Sequence, residues 1–232
     1  MITRSPTRSA TSSRRRGCIE SASRAMAPNR RGGRCCGFCP ALRGSYASVP
    51  RDDHAWKWVA LSLHSAVQGA CVCHLVTTAS PVGVLTKENT AEWLEFLEAR
   101  GAADGKRPKT ILADFRTLLK RVRRPNSGGD RSNTVGVQLN DGELNWLLKF
   151  HRDIRNEFTH FSSKGWSIEV SGLPDLTQLG IRLIRQMHEI GWAFRHQENE
   201  WHAQFLSALD NLEHVSREHQ QSQGKYEYDN SG

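Results

Sequence analysis

The residues with the most chemistry to offer are Arg155-Asn156-Glu157-Phe158-Thr159-His160. An arginine supplies fixed positive charge, an amide can orient a phosphate or hydroxyl, and an imidazole titrates near neutrality. Together these are the parts needed to cleave RNA without a metal. A lone helical histidine is ordinarily a solvated surface group or a satisfied core group, and His196, His202, His214 and His219 are read that way. Its neighbours are what set His160 apart.

A helix must carry this set. Asn140 and Glu143 have the spacing of a capping box, and the helix they start is expected to reach about Phe161. At 100° per residue, Leu147, Phe150, Ile154, Phe158 and Phe161 share one apolar face. Asn156 and His160 then project outward, Arg155 sits at the edge of the stripe, and Arg152 lies one turn before Asn156.

The remaining elements read as partners for that helix. Asp52 or Asp53 is expected to cap a helix burying Trp56, Val59, Leu63, Val67 and Ala70. Trp58, Leu61 and Ala66 make its other side apolar too, so it should be central. A short helix after Asn89, with Glu92 completing a capping signature, carries Trp93, Leu94, Phe96 and Leu97 and stops at Gly101. Pro108 is expected to open the next helix, with Leu112, Phe115, Leu118 or Leu119, and Val122 inward. After a polar loop at 125–134 and the motif helix, further helical patterns cover roughly 175–190 and 199–219. The expected fold is an all-α bundle of five or six helices spanning 51–219. Residues 1–50 are read as a disordered extension and 220–232 as a flexible tail. No uninterrupted apolar run approaches the roughly 18 to 20 residues of a membrane span, so no membrane is implied.

The motif, read with its flanks, resembles a known family. Arg155-Asn156-Glu157-Phe158-Thr159-His160 is similar to the R-N-x-x-x-H pattern of the HEPN superfamily of small helical-bundle proteins. Trp58-Val59-Ala60-Leu61-Ser62-Leu63-His64-Ser65-Ala66-Val67-Gln68-Gly69 and Lys164-Gly165-Trp166-Ser167-Ile168-Glu169-Val170-Ser171-Gly172-Leu173-Pro174 resemble a subfamily of uncharacterised HEPN-like proteins from bacterial plasmids and chromosomes. The resemblance covers roughly 51–215. It implies a metal-independent endoribonuclease, or a descendant of one, of toxin–antitoxin or phage-defence type. It also implies a homodimer whose active site forms where two motif helices meet, with no cofactor; a cytoplasmic setting is expected from reading the thiols as reduced. Carried over by position, His160 would be general acid or base, Arg155 would stabilise the scissile phosphate, and Asn156 would orient motif or substrate. The expected product end is a 2′,3′-cyclic phosphate. Relatives paired with a nucleotidyltransferase antitoxin carry a tyrosine two residues after the histidine. Ser162 stands there instead, which weakens any proposal of tyrosine modification and leaves an antitoxin or other protein partner unidentified.

Charge locates a possible RNA surface. The chain has 32 basic and 24 acidic residues, but residues 1–50 hold ten arginines and one acid, so the remainder carries 22 basic against 23 acidic. Three accounts of that leader stay open: a transit segment, a basic RNA-holding tail, or an over-extended reading frame. Within the remainder, 106–124 has eight basic residues and Asp114 alone. Lys120, Arg121, Arg123 and Arg124, with Arg152, are the expected phosphate contacts. Cations near a helix C-terminus also have the blander role of offsetting the macrodipole. The six cysteines do not make a zinc or disulfide framework. Cys36 and Cys39 are half of a ribbon pattern without its second pair, and Cys71 and Cys73 read as buried, reduced hydrophobes. A non-catalytic helical interaction module that keeps the motif for structural reasons is the competing reading, and a metal-binding protein using the N-terminal cysteines is a third.

Overall fold

The computed structural model describes residues 38–52, 54–78, 80–99, 107–155 and 170–229. Among them are seven α-helices and no strand, only an isolated antiparallel bridge between Leu85 and Leu112. The fold is all-α.

The helix beyond the expected six is the first. Leu42, Tyr46 and Val49 recur at four and three residues, and all three are buried. Leu42 and Tyr46 lie on α1 (Phe38–Ser48), and Val49 opens a 3-10 turn through Arg51. The expected leader is therefore too long: its last dozen residues belong to the folded region, because a short apolar stripe there outweighs polar surroundings. Residues 1–37 lie outside the described residues, and with them Cys36 and the leader's arginines up to Arg34.

Helix α2 (Ala55–Leu75) is the centre of the molecule. Trp56, Val59, Leu63, Val67 and Ala70 are buried as their spacing requires, and so is Ala66, whereas Trp58 is exposed. Its N-cap position falls to His54, and Asp52 accepts the His54 N–H at 2.9 Å instead. By length and composition α2 could cross a membrane, but over half of it is buried inside the bundle, as suits a core helix.

Helices α6 (Leu173–Glu189) and α7 (Asn199–Asp229) complete a four-helix core with α1 and α2. Pro174 sits in the first turn of α6, where its missing N–H costs nothing. Gly180 lets α6 approach α2, since a Cβ there would come within 2.7 Å of Leu63 Cδ1. Tyr46 donates its hydroxyl to Thr177 Oγ1 at 2.6 Å, and Thr177 donates in turn to the Leu173 carbonyl at 2.9 Å. That chain satisfies both buried hydroxyls across α1 and α6. Helix α7 continues to Asp229, so 220–229 is helical rather than a loose tail; no proline interrupts it.

The remaining helices sit on the other side of α2. Thr86, not Asn89, caps α3 (Lys87–Glu98), accepting the Asn89 N–H. Asn89 uses its side-chain carbonyl for the Ile111 N–H at 2.8 Å and donates to Glu92. Gly101, the expected stop, is outside the described residues. Pro108 does not open a helix. Thr86 N–H to Ile111 O and Ala113 N–H to Val84 O hold 111–113 extended, and Asp114 caps α4 (Phe115–Val122). Leu112 is consequently exposed, whereas Phe115 and Val122 are buried as expected, and Leu118 and Leu119 are both buried where one of the two was expected.

Cys71 is fully buried, which pushes its thiol up to about 12. Cys73 departs from the expected reduced state: it is half-buried and disulfide-bonded.

Candidate functional site

The motif helix begins as its sequence requires. Asn140 accepts the Glu143 N–H at 2.9 Å, and Glu143 accepts the Asn140 N–H at 3.0 Å. This capping box starts α5 (Asp141–Lys149), with Leu144 and Leu147 buried. Asp141 and Glu143 also place negative charge at the positive end of the helix dipole.

From Phe150 to Arg155 the chain winds as a π-helix. A π segment bonds each residue to the fifth along, so it widens the helix and shifts the phase of the residues beyond it. The α-helical wheel therefore holds only through Lys149. Phe150 stays in the core, and His151 is brought against α2. Arg152 is exposed and holds Asp153 through two bonds, Nε to Oδ1 at 2.5 Å and Nη2 to Oδ2 at 3.0 Å. Arg155 ends the π segment half-buried. Asn156, Phe158, His160 and Phe161 lie outside the described residues, so of the three motif residues the structure locates Arg155.

Arg155 acts electrostatically on a pair of histidines that sequence reasoning passed over. His64 Nε2 and His151 Nδ1 are 2.8 Å apart, and the rings stack with centroids 4.8 Å apart at 19°. Phe115 covers both, at 4.5 Å from His64 and 5.3 Å from His151, and Phe150 lies 6.5 Å from His64. His64 is only 3% exposed. Burial, then the charge of a protonated His151 and that of Arg155, lowers His64 to about 3. Burial and then Arg155 also lower His151, while Asp114 pulls the other way. Both rings are thus neutral at neutral pH, one donating a single N–H to the other. The available signal was position: His64 falls on the buried face of α2, between Ala60 and Val67.

The expected RNA contacts divide. Arg121 is turned inward, donating to the Gly83 carbonyl at 2.9 Å and the Leu85 carbonyl at 2.8 Å, and partial burial lowers its proton affinity. Arg123 bonds Asp141 at 2.8 Å across the start of α5. It also lines an open cleft of about 410 Å³ with Gln138, Asn140, Glu143 and Arg182, where Arg182 is likewise paired, to Glu143 at 2.8 Å. Lys120 and Arg124 are exposed, as is Arg116. Of the four expected contacts at 120–124, Arg121 and Arg123 therefore serve the fold, and Lys120 and Arg124 face solvent.

The histidines assigned to ordinary roles behave accordingly. His196 and His214 are exposed. His202 bonds His188 at 2.9 Å, and His219 packs against Tyr46 and Trp56 with centroids 5.6 and 5.8 Å away.

No family model, curated protein or solved structure matches this chain. The case for a function rests on its own residues.

Proposed function

We propose that this chain is an HEPN-like endoribonuclease or RNA-binding protein of a toxin–antitoxin or phage-defence system. Cleavage would use general acid–base chemistry, without a metal, at Arg155-Asn156-x-x-x-His160 across a homodimer interface. The observation that carries the reading is the motif in the sequence, whose first residue, Arg155, ends a π segment, Phe150–Arg155, that follows a box-capped helix. Single-turn π segments recur at functional sites because they redirect side chains a regular helix would place elsewhere. The all-α architecture and the exposed Lys120 and Arg124 suit the same reading.

In this mechanism His160 takes the 2′-hydroxyl proton or returns one to the leaving 5′-oxygen. Arg155 offsets charge gathering on the phosphate, and Asn156 holds substrate or motif in register. Incubating purified full-length protein with RNA in EDTA tests it. Cleavage is expected, and His160→Ala should reduce it by about 10²- to 10⁴-fold with the helical circular dichroism intact. Equal cleavage by the variant removes His160 from the mechanism.

A second reading has its own support: Arg152 is held by Asp153, Arg123 by Asp141, and Arg121 by backbone carbonyls. A molecule in which three of the candidate contact arginines are already engaged suits a non-catalytic helical interaction module. Under that reading, mixing in His160→Ala protein to form mixed dimers leaves RNA unaffected.

A further inference from the structure

The His64–His151 pair is unusual in what it joins. His64 comes from the middle of α2 and His151 from the second residue of the π-helix, 87 positions away in sequence. Phe115, the first residue of α4, closes over both rings. Three elements thus meet on one hydrogen bond, four residues before Arg155. A neutral pair shares one proton between the two facing nitrogens, so the contact is directional and fixes both ring planes. An aliphatic pair would fill the same space without defining the rotation of the π segment, and that rotation sets where Arg155 projects.

We infer that His64 and His151 are positioning residues: their hydrogen bond locks the π-turn to α2 and so holds Arg155 in place for the phosphate. The inference rests on the ribonuclease reading for its catalytic consequence, and on geometry alone for the hold on Arg155. The charged groups that act on the pair are Arg155 at the end of the π segment and Asp114 at the start of α4; α2 supplies His64 itself. A role confined to packing would require ring volume only.

Two substitutions in the full-length protein separate these possibilities. His64→Phe keeps a ring and removes the nitrogen. His64→Gln keeps a polar nitrogen or oxygen near the position of Nε2. In RNA cleavage, His64→Phe should lower kcat on the order of 10- to 100-fold, the scale of a small misplacement of a catalytic group, with KM within about twofold. His64→Gln should recover most of that loss. Equal activity of the Phe variant and wild type, or equal loss in both variants, overturns the inference.

A readout without RNA keeps the two readings apart. Ring-nitrogen NMR of His151 against pH should show its midpoint rising when Arg155→Gln removes the neighbouring charge, and His64→Phe should shrink that response. A midpoint indifferent to Arg155→Gln, or a response that His64→Phe leaves unchanged, overturns the hold on Arg155. Cleavage no greater than the His160→Ala background, with the NMR response present, defeats the ribonuclease reading and leaves the positioning geometry standing.

Discussion

Two histidine pairs make nearly the same bond in different surroundings. His64 and His151 meet at 2.8 Å, and His188 and His202 at 2.9 Å. The first pair links positions 87 apart; the second links positions 14 apart, across the turn between α6 and α7. Around the first are Phe115 and Phe150, and the charges acting on His151 are Arg155, which lowers its proton affinity, and Asp114, which opposes it. Around the second are Phe194 and Phe205, with centroids 6.1 and 5.7 Å from His188, while Trp201 lies 5.2 Å from His202. Burial also lowers His188, but there the charge of His202 and of Arg185 is opposed by Glu189. The bond type is therefore a poor guide to role. Each pair has one arginine and one carboxylate acting on it, so what differs is reach: the local pair clips a helical hairpin, whereas the long-range pair joins the central helix to the segment that carries Arg155.

Truncating the aromatic lids has the largest expected effect. Phe115→Ala and Phe205→Ala should each cost about 3 to 5 kcal/mol in urea unfolding, since both remove a buried ring. Only Phe115→Ala should also raise the His151 midpoint, by letting water reach it. Matching midpoint shifts in His151 from both variants would erase the distinction between the pairs.

The next effect is a dependence of stability on pH. His64 is lowered to about 3 and His74 to about 4, in both cases chiefly by burial. In the unfolded chain each returns to an ordinary histidine value near 6.5. Below that value the unfolded state binds protons the folded state refuses, so stability is full above about pH 6.5 and declines toward the folded values. Between pH 7 and pH 4 the His64 contribution should amount to roughly 2 to 3 kcal/mol. Thermal melts should show His64→Gln flattening that decline and His188→Gln changing it less. A decline of the same steepness in His64→Gln would contradict the burial of a neutral His64.

The smallest effect comes from the capping box. Asn140→Ala should cost about 1 kcal/mol, measured in guanidinium, and should loosen the motif side alone. If His188 ring shifts moved as much as those of His151, the two regions would not be separate units.

Much of this architecture was legible because its signals are local. The Asn140–Glu143 box, the stripe of α2 and the inward face of α4 each follow from spacing within a few residues. Where the reading failed, tertiary contacts had overridden a local cue. Pro108 is a fair helix opener, but hydrogen bonds from Thr86 and Ala113 hold its neighbours extended. Asn89 has a capping spacing, yet Ile111 and Glu92 engage its side chain and Thr86 takes the cap. Helix α1 was hidden because Leu42, Tyr46 and Val49 are sparse among small and polar residues, and their partners lie far along the chain. The candidate site was legible only as composition: the motif supplies an arginine, an amide and an imidazole, but a π segment does not follow from periodicity. The His64–His151 contact depends on it. Arg121 likewise counts as surface charge in any sum over 106–124, whereas its two carbonyl acceptors sit 36 and 38 residues earlier.

The central claim is the proposal that Arg155, Asn156 and His160 cut RNA without a metal. The most direct test is end analysis of RNA incubated in EDTA with wild-type protein and with His160→Ala. The account predicts fragments ending in a 2′,3′-cyclic phosphate from wild type and none above background from the variant. Intact RNA with wild type, or the same fragments from both proteins, would contradict it.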